Sequence, residues 1–179
     1  MKRLPVVGVM GSGTEDHAVL AKPLGVLLAS KAVHLLTGGG NGVMEAVSKA
    51  FVSVAPRAGS CIGIIPGGPD GKLSKPGYPN RYVEIPIYTH LPLSGAQGTD
   101  PLSRNHINVL TSDILVFLPG GEGTRSELQL ANIYNKTLMH FGPLPVMGKN
   151  DTSTCREVSS LKEVNIHLDE WLYNYRDGI

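Results

Sequence analysis

One repeated sequence pattern restricts the fold of this chain most strongly. In this pattern a short apolar run ends in a cluster of glycines and is followed by a stretch with helical periodicity. Residues 5–10 form such a run before Gly11-Ser12-Gly13, and residues 18–30 then carry apolar side chains at helical spacing. The run at 32–37 ends at Gly38 to Gly42 before the helical stretch 43–54. Strands that alternate with helices pair in parallel through right-handed crossovers. The sequence therefore predicts an α/β fold, a doubly wound and mainly parallel sheet with helices on both faces.

Similar patterns predict the remaining elements. The expected strands are residues 61–65, 81–88 and 144–147, and the expected helices are residues 102–110, with Ile107 and Leu110 facing inward, and 161–175. Long irregular stretches are expected to be loops at residues 66–80, 89–101 and 150–159. No linker divides the chain, which predicts one nucleotide-binding domain over residues 1–179.

The stretch from 111 to 139 carries the most specific motif. Its apolar run 114–118 predicts a buried strand, which stops at Pro119 and is followed by Gly120, Gly121 and Gly123. Thr124 then suits a helix N-cap with Glu127 as its capping-box partner. Leu128, Ala131, Tyr134 and Leu138 recur at helical spacing, so the helix is expected to continue to about residue 139.

This strand, turn and helix arrangement predicts an anion site. Glycines leave backbone N–H groups unshielded at the positive end of the helix dipole, and phosphate is the preferred guest. Two roles are open for Glu127: it faces whatever the phosphate carries, or it only closes the capping box. Because parallel sheets bind ligands at the carboxyl ends of their strands, we expect the three glycine turns to converge on one crevice.

Composition excludes several classes of partner. The net charge is +1, with 16 basic and 15 acidic residues, so neither nucleic acid nor a membrane surface is indicated. Cys61 and Cys155 are far apart and have no nearby paired histidines, which predicts no disulfide framework and no metal site. Cys61 is expected to be a buried thiol. No signal peptide or membrane span is recognisable, so the cytoplasm is the expected location.

Familiar cofactor fingerprints are incomplete. Gly11-x-Gly13 and Gly40-x-Gly42 both lack the third glycine of a dinucleotide motif, and no P-loop sequence occurs. No cofactor is therefore expected. For Gly38 to Gly42 two roles remain open, direct phosphate contact or a tight turn with close packing.

Several of these segments resemble the lonely-guy family of cytokinin-activating nucleoside 5′-monophosphate phosphoribohydrolases, also labelled possible lysine decarboxylases. Pro-Gly-Gly-x-Gly-Thr-x-x-Glu at 119–127 is similar to the family signature, and Arg104 stands fifteen residues before the motif proline, as in that family. Residues 9–12, 37–44 and 63–66 resemble its first three strand ends. The resemblance implies a Rossmann-like fold and a homodimer or higher homo-oligomer.

The resemblance also implies an activity and a set of site residues. The activity is hydrolysis of the N-glycosidic bond of a nucleoside 5′-monophosphate to a free base and ribose 5-phosphate. Glu127 would stabilise positive charge on the ribose, and Arg104 would hold the phosphate or the ribose. The expected phosphate and nucleotide contacts are Gly120, Gly121, Gly123, Thr124, Gly11, Ser12, Gly39, Gly40 and Asn41.

Two departures point to an alternative. The hydrolases usually follow the arginine with lysine and end the motif with two glutamates, whereas this chain has Arg104-Asn105 and Ser126-Glu127. Arg-x-x-Ile-Asn at 104–108 is closer to molybdenum-cofactor carrier proteins, relatives that bind a pterin nucleotide without transforming it. A non-catalytic carrier is therefore the second hypothesis. Lysine decarboxylation is not supported, because no lysine lies in the three glycine turns.

Overall fold

The computed structural model describes residues 3–68, 74–143 and 156–177. Its strands are β1 (Val6–Met10), β2 (His34–Thr37), β3 (Cys61–Ile65), β4 (Ile85–Tyr88), β5 (Ile114–Phe117), β6 (Leu138–Phe141) and β7 (Arg156–Val158). Its α-helices are α1 (Ala18–Ala29), α2 (Val43–Val52), α3 (Asn105–Thr111), α4 (Glu122–Ile133) and α5 (Leu161–Asp177), and a 3₁₀ helix covers Gly95–Gln97.

The strands form one parallel sheet in the order β4-β3-β2-β1-β5-β6-β7. β1 is central: Val7 pairs with Leu35 of β2 on one side and with Ile114 of β5 on the other. The chain therefore winds outward from β1 in both directions, and the order reverses between β1 and β5. This confirms the predicted Rossmann-like, doubly wound fold and creates a switch point where ligands bind in such sheets.

Helices cover both faces of the sheet, so the strands are apolar on both sides, as parallel strands generally are. Val7 and Val9 of β1 point to one cluster, to which α1, α2 and α5 contribute through Leu24, Val47 and Leu168. The alternate residues Val6 and Met10 belong to the opposite cluster, with Val109 of α3 and Leu128, Leu130 and Ala131 of α4. Cys61 is a free and fully buried thiol, as predicted.

Both ends of α4 correct the sequence prediction. The helix begins at Glu122 with Gly121 as its N-cap and no side-chain capping bond, so Thr124 is already inside the helix and the capping box is absent. It ends at Ile133, because Asn135 adopts a left-handed conformation (φ 49°) and the Lys136 N–H bonds back to Ala131 O at 2.9 Å. Leu138 and Met139 lie in β6 instead.

Other predictions are met in part. Helix α3 is present, but Leu110 is 51% exposed rather than inward, whereas Val109 is buried. The strand predicted at 81–88 is confined to Ile85–Tyr88, and the predicted loop 150–159 contains strand β7. The strand predicted at 144–147 lies outside the described residues. Within the described ranges, no helix is both long enough and apolar enough to cross a membrane.

Candidate functional site

A cleft of about 370 Å³ opens at the switch point, beyond the carboxyl ends of β1 and β5. It is lined by the turn after β1 and by the starts of α3 and α4. One residue of α2 and two loop segments close its sides. The lining residues are Gly11, Ser12, Gly13, Thr14, Met44, Tyr78, Ser94, Gly95, Arg104, Asn105, Gly121, Glu122, Gly123, Thr124 and Glu127.

Ser12 joins the first glycine turn to its neighbours. Its N–H donates to Pro119 O (3.0 Å), and its carbonyl accepts from the N–H of Val43 (2.9 Å). Its hydroxyl accepts from the N–H groups of Thr14 (3.2 Å) and Glu15 (2.9 Å). Ser12 thereby ties the turn after β1 to the turn after β5 and to the start of α2, and its side chain is committed to shaping the turn.

The start of α4 forms one wall of the cleft. The first intrahelical bond runs from the N–H of Arg125 to Gly121 O at 3.0 Å, so the preceding N–H groups have no acceptor within the helix. Gly121 and Gly123 carry no side chain that would shield them. The buried Oγ1 of Thr124 has no hydrogen-bond partner in the described parts of the chain. This wall therefore offers donors to an anion at the positive end of the helix dipole.

Gly120 does not line the cleft but allows its construction. A Cβ atom at residue 120 would overlap Oγ1 of Thr124 and lie 2.8 Å from the backbone nitrogen of Ser12. Because Gly120 has no side chain, the turn after β5 packs closely against the turn after β1.

Arg104, the N-cap residue of α3, is buried with 4% of its surface exposed. Its Nε and Nη1 atoms are buried and have no hydrogen-bond partner among the described residues. A buried guanidinium with unused donors is costly unless an anion or another acceptor satisfies it. The cleft therefore contains a cation suited to a phosphate or carboxylate.

Glu127 of α4 is 7% exposed and reaches the same cleft. Its Oε1 atom accepts a hydrogen bond from Nδ2 of Asn108 at 2.8 Å. Burial raises the pKa of the Glu127 carboxyl, while the nearby Arg104 charge and the Asn108 hydrogen bond act in the opposite direction. Arg104 and Glu127 form no ion pair within the part of the chain that the structure describes. A ligand can thus engage both groups.

The second glycine turn lies behind these residues. Gly39 donates its N–H to Oγ1 of Thr37 at 3.1 Å, and Gly40 is covered by the ring of Tyr78. Asn41 lines a separate polar depression beside Lys22 and Lys49. None of these three predicted contact residues, Gly39, Gly40 and Asn41, lines the cleft, whereas Gly11, Ser12, Arg104, Gly121, Gly123, Thr124 and Glu127 all do.

Sequence reasoning assigned no role to Asn108 or Tyr78. Asn108 follows Arg104 by four residues, so both side chains share one face of α3, and this spacing was the available signal. Tyr78 lies in an irregular loop and reaches the cleft only through tertiary packing. Among the described residues, no group of three or more His, Cys, Asp or Glu side chains is arranged to hold a metal ion.

Comparisons with known proteins cover all the elements that build the cleft. A family model described as the SLOG cluster4 family matches residues 4–170. An uncharacterized protein from Archaeoglobus fulgidus is 33% identical over 143 residues, 79% of this chain and 82% of that protein.

Two solved structures extend this comparison. The molybdenum cofactor binding protein from the phototrophic bacterium Rippkaea orientalis is 30% identical with a TM-score of 0.72, over 97% of this chain and 99% of that chain. The Moco carrier protein from Chlamydomonas reinhardtii is 29% identical with a TM-score of 0.74, over 96% and 99% of the two chains.

Proposed function

The chain belongs to the SLOG cluster4 family, which is lonely-guy-like, and we propose that it hydrolyses a nucleoside 5′-monophosphate. AMP or a cytokinin riboside monophosphate is the proposed substrate, and the products are the free base and ribose 5-phosphate. The observation that carries the proposal is the arrangement of Arg104, Glu127 and the start of α4 around one cleft.

Binding of the phosphate would use groups that the protein leaves unsatisfied. The guanidinium of Arg104 supplies two buried donor nitrogens, Nε and Nη1, and Thr124 supplies a hydroxyl. Backbone N–H groups at Gly121 to Thr124 add the helix dipole. Charge-assisted hydrogen bonds between a guanidinium and a phosphate are stronger than hydrogen bonds between neutral groups. Bound there, the phosphate would place its attached sugar toward Glu127.

Glu127 is the proposed catalytic residue. Its Oε1 atom accepts a hydrogen bond from Asn108, and the carboxyl group lines the cleft. As the N-glycosidic bond breaks, positive charge builds on the ribose, and a carboxylate beside it lowers the barrier. A water molecule adds to the ribose carbon, and the leaving base takes up a proton. Because burial raises the pKa of Glu127, the ionised form requires a higher pH than for an exposed glutamate.

Incubation with AMP, followed by chromatography, tests the proposal directly. The wild-type protein should release adenine, and Glu127→Gln should retain AMP binding but lose at least about 100-fold in kcat, the effect of removing one electrostatic stabiliser. Glu122→Gln is the matched comparison: Glu122 also lines the cleft, in the first turn of the same helix, but its side chain is 60% exposed, so its loss should lower kcat much less than the loss of Glu127. The same incubation is run with a cytokinin riboside monophosphate, and wild-type protein that binds both nucleotides without releasing either base would refute the proposed hydrolase activity.

A carrier of a molybdenum-cofactor-type pterin is the second candidate. It is favoured by the 29% and 30% identities, over nearly full chains, to proteins that carry or bind the molybdenum cofactor. The same phosphate contacts would serve its pterin phosphate. This candidate predicts tight binding without turnover. A thermal-shift panel of the cofactor, AMP and inorganic phosphate would exclude it if the cofactor gave no larger shift than phosphate.

We propose further that the protein is a homodimer or higher homo-oligomer in the cytoplasm. Exposed apolar side chains on α4 and α3 support self-association: Ile133 is 66% exposed and Leu110 is 51% exposed. The free Cys61 thiol is consistent with a reducing compartment. Light scattering coupled to size-exclusion chromatography would test the oligomer, and a monomeric mass would refute it.

A further inference from the structure

The ring of Tyr78 forms a wall of the cleft that the phosphate and sugar contacts do not use. Its outer edge lies directly against Gly40: a Cβ atom at residue 40 would lie 2.7 Å from Cε1 and Cζ of the ring. Tyr78 also lines the cleft, as does Met44. The glycine at position 40 therefore makes room for an aromatic side chain rather than for a phosphate.

Asn80 holds this aromatic wall in place. Its backbone N–H donates to Gly39 O at 2.7 Å, and its Nδ2 donates to Gly40 O at 2.8 Å. Its Oδ1 accepts from the N–H of Tyr82 at 3.0 Å. Asn80 is 6% exposed, so these bonds are shielded from water. The loop that carries Tyr78 is thereby fastened to the second glycine turn only two residues beyond the ring.

The second glycine turn also fixes the position of the ring relative to the phosphate donors. Gly38 lies against the guanidinium of Arg104, and Gly40 lies against the ring of Tyr78. Two residues span at most about 7 Å of backbone. A cationic donor and an aromatic surface therefore flank one short piece of chain, at a separation that a single small ligand can bridge.

We propose that Tyr78 is the surface on which the planar heterocycle of the ligand stacks, a subsite that selects heterocyclic phosphate esters over plain sugar phosphates. This inference rests on the proposed phosphate site at Arg104 and α4. Aromatic side chains stack on any base or pterin because each has a π face, and a thioether such as that of Met44 adds polarizable contact. The subsite thus sets the ligand class without choosing among individual bases.

Calorimetry with AMP and ribose 5-phosphate tests this subsite, because the two ligands share the phosphate and ribose but differ in the base. Titrations use the Glu127→Gln background, so that neither ligand is consumed. Tyr78→Ala should weaken AMP binding on the order of tenfold, typical for the loss of one base stack, and leave ribose 5-phosphate affinity unchanged. Tyr78→Phe keeps the ring and should bind AMP like the parent.

Tyr82→Ala is the matched control. Tyr82 is in the same loop, but its ring faces Lys49 and Arg81 and does not line the cleft. This variant should bind both ligands like the parent protein.

Each other outcome is decisive. If AMP binds the parent no more tightly than ribose 5-phosphate, or if Tyr78→Ala weakens both ligands equally, the stacking subsite is wrong while the phosphate site stands. An equal loss of AMP affinity in Tyr82→Ala would likewise refute it. If the parent binds neither ligand, the phosphate site itself fails and the subsite fails with it.

Discussion

The guanidinium of Arg104 lies directly against the backbone of Gly38, although the two residues are far apart in the sequence. A Cβ atom at residue 38 would overlap the terminal nitrogens of Arg104 and lie 2.7 Å from its Cζ. Gly38 is in the turn after β2, and Arg104 caps α3. Residue 38 of the second glycine turn does not line the cleft itself, but its backbone positions the guanidinium of Arg104, which does.

Gly38→Ala should displace the guanidinium and weaken phosphate binding. The flexible end of Arg104 can move, so we expect the fold to remain intact while charge-assisted hydrogen bonds to the ligand are lost. Loss of one or more such bonds corresponds to a weakening on the order of tenfold to a hundredfold. Calorimetric titration with AMP would measure it.

Gly13→Ala is the control for the glycine substitution itself. A Cβ atom at residue 13 would meet only Cε of Met44, at an ordinary 3.7 Å. This variant should bind AMP more tightly than Gly38→Ala. An AMP affinity of Gly38→Ala equal to that of wild type would show that the Arg104 contact with Gly38 is unimportant for the ligand.

The fold was predictable because its signals are local. The buried strands β1, β2, β3 and β5 are apolar runs that stop at a turn or loop, and the helices that follow β1, β2 and β5 show their own periodicity. That the first and third glycine turns meet follows from parallel topology, since the carboxyl ends of adjacent strands share one edge. Arg104 and Glu127 reach the same cleft, as the family resemblance implied.

The features that sequence reasoning missed depend on distant contacts or on one backbone torsion. Tyr78 meets Gly40 across 38 residues, a contact without any local pattern. Strand β6 was absorbed into the predicted helix because Leu138 continues the apolar stripe of α4. The break depends on Asn135, one of the few residue types that adopts a left-handed conformation at low cost.

Glu127→Gln should stabilise the protein at alkaline pH. Burial raises the pKa of this carboxyl in the folded protein, so the fold favours the protonated side chain. This contribution to the free energy of unfolding is fully present at acid pH and is lost as the pH rises through the raised pKa. A neutral glutamine avoids the cost of burying a charge. Thermal melts should show a higher Tm than wild type at pH 8, with the difference shrinking toward pH 4.

Glu122→Gln provides the contrast, because Glu122 is exposed in the first turn of the same helix. Replacing the Glu122 carboxylate with an amide removes a favourable interaction with the helix dipole, so Glu122→Gln should not raise the Tm. A Tm of Glu127→Gln below that of wild type at pH 8 would contradict the prediction, because it would mean that Arg104 and Asn108 stabilise the ionised carboxylate more than burial destabilises it.

His140 of β6 should make the protein sensitive to acid. Its side chain is fully buried, and both ring nitrogens lack hydrogen-bond partners among the described residues. Burial lowers the pKa of His140 from 6.5 to about 4. Between these two pH values the unfolded chain binds a proton at His140 that the folded protein does not bind. Stability should therefore fall by up to about 3 kcal/mol between pH 6.5 and pH 4.

Urea unfolding of wild type and His140→Leu across this pH range would measure the effect. The leucine variant should lose less stability on acidification, since it has no buried base to protonate. His167→Leu is the control, because that imidazole is on α5 beside Glu170 rather than in the sheet. Parallel pH profiles for wild type and His140→Leu would contradict the prediction.

Ser126 fixes a second wall of the cleft by allowing the 3₁₀ helix to rest on α4. Its Oγ lies 2.9 Å from Gly95 O and 2.9 Å from Glu122 O. A Cβ atom at Gly98 would come within 2.5 Å of the Cβ of Ser126, so the two backbones are in close contact. Gly95, at the edge of the cleft, is held in position by this packing.

Ser126→Glu, which introduces the residue that the similar hydrolases usually carry, should push residues 94–98 away from α4. The larger side chain has no room beneath Gly98 and would bury a charge against its backbone. Hydrogen exchange in this segment should accelerate in Ser126→Glu, whereas Ser126→Ala keeps the packing and should exchange more slowly than Ser126→Glu. If Ser126→Glu is as protected as wild type, the close approach at Gly98 does not determine this wall of the cleft.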